Sequence, residues 1–360
     1  MSSNRELKEE ATKRRVEFSP GMRMTAVGSM PQAEPQSAWE MVLNRIPDIP
    51  IWPQLPNRSF RENMYVQYSE GFPGVVLQGE DRIYVDRGRS LDEGLERLYL
   101  AYLQNDLEAY AVSSQYAAGL YTMLASDLRE AVAVKGQVTG PISWGLSVTD
   151  QARRPILYDE VLADAVAKHL RLKAAWQERA LAALNPRTIL FIDEPYLSAL
   201  GSAFVSVPGD LVVGLLEEVL MGVQGLKGVH CCGNTDWSLL LETSIDILNF
   251  DAYNFAESVS LYPEAIAAFL DRGGIMAWGI VPNEAKALES ETAESLASRL
   301  EQAMSLLVRK GISQELLIKR CLITPSCGLG GLRVEQADRA LEMGASLSEL
   351  VRGRYLGGGS

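Results

Sequence analysis

The feature that most constrains the fold of this chain is an alternation repeated along its length: a short apolar run, then a longer amphipathic stretch. The runs fall at residues 23–29, 48–55, 131–137, 188–194, 227–232, 246–253, 274–281 and 321–327. Each has strand length, and near-continuous apolar character is what strands covered on both faces require. The stretches between them carry helical period. In 159–184, Leu162, Val166, Leu170 and Leu172 recur at near-helical spacing with charges between them,. Residues 208–223, 262–273 and 293–311 read in the same way, and Gly273, Gly274 and Gly311 stand near helix ends, where a left-handed residue costs little,. Strand–helix units in this number predict an α/β fold, a single closed (β/α)8 TIM barrel. A doubly wound open sheet is the alternative. The second run holds two prolines and is the poorest strand of the set. Residues 60–130 exceed what one βα unit needs, and 74–86 reads as a hairpin inserted with helical segments after the second strand. The expected organisation is a polar N-terminal extension over 1–20, one barrel over 21–355 and a flexible tail over 356–360.

Composition narrows the classes of function. Hydrophobic residues make up 47% and charged residues 22%, enough for a large core,. The formal net charge is -12 with no basic run, so neither nucleic acid nor an anionic membrane is an expected partner,. No stretch reaches the roughly 18 apolar residues of a membrane span. The first twenty residues lack the apolar segment of a secretory signal,. Four cysteines in 360 residues do not make a disulfide framework,. The expectation is a cytoplasmic protein with reduced thiols.

Barrel enzymes carry their chemistry at the C-terminal ends of the strands. Those ends bring together Ser29, Thr139-Gly140-Pro141, Asp193 and Glu194, His230 and Cys232, Glu257 and Cys327. His230 and Cys232 are two apart, so an extended backbone puts both on one face, and Cys231 points into the wall. One imidazole, two thiolates and a carboxylate suit tetrahedral zinc with one exchangeable position. Buried cysteines more often fill cores. Cys327, however, is followed by glycines, a context suited to an exposed loop ligand, whereas Cys321 opens an apolar strand and reads as structural. Glu242 competes with Glu257 for the acidic position but lies in a helix leading away from the strand end. His169, mid-helix among charges, reads as a surface residue. In FIDEP (191–195) the carboxylates either cap a helix or, at Asp193, bind a substrate amine. GSMP (28–31) either serves a substrate carboxylate or forms a turn.

Taken together, VGSMPQ (27–32), TGP (139–141), FIDEP (191–195), HCC (230–232) and PSCGL (325–329) resemble, in order and spacing, the catalytic C-terminal barrel of cobalamin-independent methionine synthases. The resemblance implies a zinc-dependent methyltransferase that makes methionine from homocysteine. It implies one zinc on His230, Cys232, Glu257 and Cys327. It also implies Asp193 on the homocysteine amine, Ser29 on its carboxylate and Glu62 as a second amine contact. The homocysteine sulfur would displace Glu257 or lengthen its bond and then attack a methyl group in line. Two departures stand out. The chain has room for the catalytic barrel alone, without the N-terminal barrel of long family members. Folate-using members carry a histidine after the seventh strand as proton donor, and residues 277–286 contain none. Trp144 also does not match the tryptophan of the folate wall. A corrinoid leaves carbon without a proton, so the expected donor is methylcobalamin or a methylated corrinoid protein. The rivals are a corrinoid methyltransferase acting on another thiol such as coenzyme M, a barrel resembling uroporphyrinogen decarboxylase, and a non-catalytic zinc- or thiol-binding barrel.

Overall fold

The computed structural model describes residues 18–200 and 205–357. Most of the expected N-terminal extension and the last three residues of the tail lie outside the described residues. Of the rest, Phe18 is buried with Ile49, Ala133 and Ile189, and Leu356 ends the last helix, Val334–Leu356.

Among the described residues, nine strands form two sheets. The small one contains β1 (Val75–Gln78), β2 (Arg82–Val85) and β4 (Thr149–Asp150). β1 and β2 pair antiparallel as the expected inserted hairpin. The large sheet runs in the order β3 (Val134–Thr139), β5 (Thr188–Asp193), β6 (Leu226–Cys231), β7 (Ile247–Phe250), β8 (Ile275–Val281), β9 (Cys321–Pro325). All five of its pairings are parallel. Parallel neighbours need crossovers, and helices supply them. Among these are Glu160–Ala182, Gly209–Leu220, Pro263–Asp271 and Ala293–Val308. Asp159 caps the first of them by accepting from the Val161 and Leu162 amides. Gly273 and Gly311 take the expected positive φ, at 99° and 93°, but Gly274 does not.

The eight-strand expectation is met in part: six strands make the continuous ladder. The runs 23–29 and 48–55 form only isolated parallel bridges, Met24 to Ile323 on β9, Ser29 to Gln54, and Ile51 to Lys135 on β3. Pro50 and Pro53 lack the N–H a regular ladder needs, which shortens pairing in the second run.

Alternation along the strands sorts the two faces. One face of the curled sheet is apolar at its lower end, with Ile189, Phe191, Ile247, Ile275, Ala277 and Leu322 in one buried cluster. Further along the same faces the residues turn polar: Lys135, Gln137 and Thr139 on β3, Asp193 on β5, His230 on β6, Asn249 on β7 and Thr324 on β9, all buried. The opposite faces pack against the helices in the main core, which takes in Cys231 and Cys321.

Candidate metal and substrate site

The C-terminal ends of β6 and β9 bring His230, Cys232 and Cys327 together, with one ligand atom from each within 4.8 Å of the others. His230 is the penultimate residue of β6, and Cys232 follows the strand directly. Cys327 sits two residues past β9. The loop that carries it is held by Ser29, whose carbonyl accepts from the Leu329 amide at 2.9 Å and whose Oγ accepts from the Gly330 amide at 3.3 Å.

His230 is buried. Its Nδ1 lies 2.7 Å from Asn249 Oδ1, and its Nε2 has no hydrogen-bond partner. A buried polar atom without a partner costs free energy, so an orphaned imidazole nitrogen beside two sulfurs suits a ligand to a soft or borderline metal. The Cys327 thiol hydrogen-bonds the Cys232 sulfur and, with His230 adding to the pull against burial, brings Cys232 down to about 4. Cys327 is pushed up by that same contact and by burial. Burial opposes charge on His230, but Cys232 and Asp193 beside it draw its pKa above the usual imidazole value. Cys231 faces the other way and is fully buried, and burial pushes its thiol up to about 12. The donor set of one imidazole and two sulfurs therefore fits zinc,.

Glu257 is exposed on the helix Ala252–Val259 and is outside the three-residue group. Asp251, which caps that helix directly after β7 by accepting from Asn254, is buried. Burial raises its pKa, and the charges of Cys232 and His230 reach it. Glu242 is exposed at a helix end.

Asp193 ends β5 in register with His230. It is buried, and its Oδ1 has no partner. Burial raises it to about 6, against the opposing pull of His230 and Lys135. Glu194, next in the chain, serves structure. Its carboxylate accepts from the Ile142 and Ser143 amides at 2.9 and 2.8 Å and from the Ser143 hydroxyl at 2.6 Å. It thereby holds the start of the helix Pro141–Ser147. A side chain at Gly140 would collide with that carboxylate, so the TGP–DEP pair of motifs is one packing unit. Glu62 is buried in a short turn, accepts from Arg58 at 2.9 Å and keeps Oε2 without a partner.

One sequence reading changes, and one buried charge goes beyond the motifs. His169 is no surface residue: it is fully buried, its Nε2 is 2.6 Å from the Tyr68 carbonyl oxygen, and Phe72 and Tyr110 pack edge-on against it. Of the charges near it in sequence, Lys168 and Arg171 lie on other faces of the helix, whereas Lys173 shares its buried face. Lys135 was not singled out, yet it is buried below Asp193, donating to the Val27 carbonyl at 2.6 Å and lying 4.1 Å above the Phe191 ring. Burial depresses it to about 7, Asp193 opposing. The available signal was a lysine directly after the apolar run AVAV (131–134). Trp144 is buried and donates to the Tyr65 carbonyl at 2.7 Å.

No family model matches the chain. A curated relative, the methionine synthase of Methanocaldococcus jannaschii, is 25% identical over 232 residues, which is 64% of this chain and 68% of the relative. Among solved structures, a B12-independent methionine synthase from Shewanella sp. W3-18-1, in complex with selenomethionine, aligns at TM-score 0.61 and 17% identity over 93% of this chain and 99% of that one. A putative vitamin-B12 independent methionine synthase from Listeria monocytogenes aligns at TM-score 0.56 and 14% identity, covering 94% and 99%. A methyltransferase from Methanosarcina mazei aligns at TM-score 0.55 and 13% identity, covering 96% and 98%. Fold and sequence likeness together define the class: the chain is an α/β methyltransferase. Within that class, the curated relative and the structural neighbours bear out the resemblance to the catalytic barrel of the cobalamin-independent methionine synthase family.

Proposed function

We propose that this chain is a zinc-dependent methyltransferase that forms methionine by methyl transfer to homocysteine, taking the methyl group from methylcobalamin or a methylated corrinoid protein rather than from methyl-tetrahydrofolate. The convergence of His230, Cys232 and Cys327 at the strand ends carries the reading. The names of the relatives supply the substrate. We read the bridged segments 23–29 and 48–55 as the first two strands of a closed eight-stranded barrel, which would place Ser29 at the same rim.

His230, Cys232 and Cys327 would hold one zinc per chain. The acidic position would come from the segment after β7, where Asp251, buried and close enough to feel Cys232 and His230, is better placed than the exposed Glu257. Bound zinc would favour the thiolate of a coordinated thiol at neutral pH. The substrate is held by the chain itself. Asp193 Oδ1 and Glu62 Oε2, both buried without partners, are acceptors suited to an ammonium group. The Ser29 hydroxyl, accepting from Gly330, keeps its hydrogen to donate to a carboxylate. The thiolate sulfur attacks the methyl carbon. The S–C bond forms as the carbon–donor bond breaks, and the electron pair leaves with the donor.

The choice of donor rests on proton supply. A folate nitrogen leaves poorly without an acid, and a positioned acid is worth about 10²–10⁴-fold in rate. The chain has two histidines. His169 is enclosed by aromatic rings and His230 belongs to the ligand group. Cobalt leaves with its electron pair unprotonated, so the missing acid is no handicap with a corrinoid.

The experiment is metal analysis of purified variants. Wild type should carry one zinc. Cys232→Ser and Cys327→Ser should lose most of it, while Cys231→Ser and Cys321→Ser should keep it. Asp251→Ala should weaken retention more than Glu257→Ala. Full zinc occupancy in Cys327→Ser would sink the ligand assignment.

A further inference from the structure

We infer that Asn249 is a positioning residue that selects Nε2 of His230 as the metal-binding nitrogen. The inference rests on the zinc reading above and adds a residue that none of the sequence motifs contains. Asn249 is in the middle of β7, fully buried and in register with His230 across the β6–β7 ladder. Its Nδ2 is 2.9 Å from the Ala277 carbonyl oxygen on β8 and 2.8 Å from Thr324 Oγ1 on β9. A backbone carbonyl only accepts, so the nitrogen end of the amide must face it. That orientation turns Oδ1, an acceptor, toward His230 Nδ1 at 2.7 Å. Two acceptors at that distance repel, so Nδ1 carries a hydrogen. An imidazole with one proton, placed on Nδ1, presents a lone pair at Nε2, which is the nitrogen without a protein partner,.

The orientation is set by the sheet. Four adjacent strands contribute one polar group each to the chain of contacts: His230 on β6, Asn249 on β7, the Ala277 carbonyl on β8 and Thr324 on β9. The amide cannot flip without breaking both of its donor contacts at once. Partners of this kind fix ring orientation and raise ligand basicity, and their loss typically lowers metal affinity about 10–100-fold.

The test uses zinc-loaded protein labelled with ¹⁵N-histidine, in which two-bond proton–nitrogen couplings report which ring nitrogen carries the hydrogen. Two histidines in the chain make the spectrum assignable with a single His169→Gln control. Zinc affinity is read separately by competition with a chelator, and thermal unfolding checks that each variant folds. Wild type should show the proton on Nδ1. Asn249→Leu, close in size but without an acceptor, should bind zinc about 10–100-fold more weakly. Asn249→Asp, which returns an oxygen to Nδ1 but sets its second oxygen against the Ala277 carbonyl, should recover part of that loss. A zinc-loaded wild type with its proton on Nε2 overturns the inference, whatever the variants do. A folded Asn249→Leu with wild-type zinc affinity also overturns it. Absence of zinc from the wild type is a separate result of the metal analysis; it removes the zinc reading and this inference with it.

Discussion

Asp193 and Glu194 are chain neighbours at the end of β5, yet the strand's alternation gives them opposite tasks. Glu194 has its carboxylate consumed by three donors from the helix Pro141–Ser147. Asp193 keeps an oxygen unpartnered in the polar layer. Asp193→Asn removes the charge but keeps the shape. A hydrogen bond to a charged group is worth about 1.5–3 kcal/mol, so homocysteine affinity should fall at least about tenfold, with zinc content unchanged. Wild-type homocysteine kinetics in that variant would show that Asp193 is structural too. The pH dependence follows from the same burial. A carboxyl raised to about 6 is protonated below that value and then offers an ammonium no charge. Homocysteine affinity should therefore weaken toward acid pH as Asp193 takes up its proton, and Asp193→Asn should lack that step; titration calorimetry across about pH 5–8 would read both. The legible part of the site was its rare residue types. One His and two Cys at strand ends stand out in a chain with two His and four Cys. Asn249 and Asp251 were not legible, because one sits in an ordinary strand and the other directly follows it, and their positions beside His230 come only from the register that sets β7 between β6 and β8.

At the scale of elements, the helix expected over 159–184 is observed as Glu160–Ala182, ended within two residues at each side. Periodicity read the backbone well there, but not the burial of its polar positions. His169, Lys173 and Gln177 are all fully buried on that helix at intervals of four, because the backbone at Tyr68 and Ala111 meets the first two and β3, at Gln137, meets the third, on a face that sequence alone marks as polar. Lys173 shows the cost. Burial lowers it from 10.5 to about 8, with Glu70 opposing. A base with a depressed folded pKa disfavours the folded state wherever it must be charged. The penalty is full below about 8 and vanishes as pH rises toward 10.5. Lys173→Met should thus be favoured at neutral pH by up to about 3 kcal/mol, less about 1 kcal/mol for the lost bond to the Ala111 carbonyl,. The advantage should narrow as pH climbs from 8 to 10.5, as chemical denaturation across that range would show. A constant difference would contradict the account. In the sheet, Gly228 on β6 faces Phe191 on β5, and a side chain there would collide with the ring. Gly228→Ala should cost about 1–3 kcal/mol, read as a lower denaturant midpoint without a change in slope. The prolines of the second apolar run explain why it departs from a regular strand: an apolar run with gaps in its N–H row bridges its neighbours without building a ladder,.

For the whole molecule, among the described residues no helix is long and apolar enough to cross a membrane. The large parallel sheet gathers its chemistry at one end. Three metal-type ligands stand there with the buried, half-unpartnered carboxylate of Asp193 and a polar layer beneath them, and it is this arrangement that we propose takes a small amino-acid thiol. The arrangement offers no histidine acid for a leaving nitrogen. The measurement that tests this most directly is the initial rate of methionine formation from homocysteine by zinc-loaded protein, with methylcobalamin and methyl-tetrahydrofolate supplied in parallel at equal concentration. The account predicts zinc-dependent methionine formation with methylcobalamin, faster still with a methylated corrinoid protein, and little or none with methyl-tetrahydrofolate. Efficient turnover of methyl-tetrahydrofolate, or methionine formation that survives removal of zinc, would contradict it.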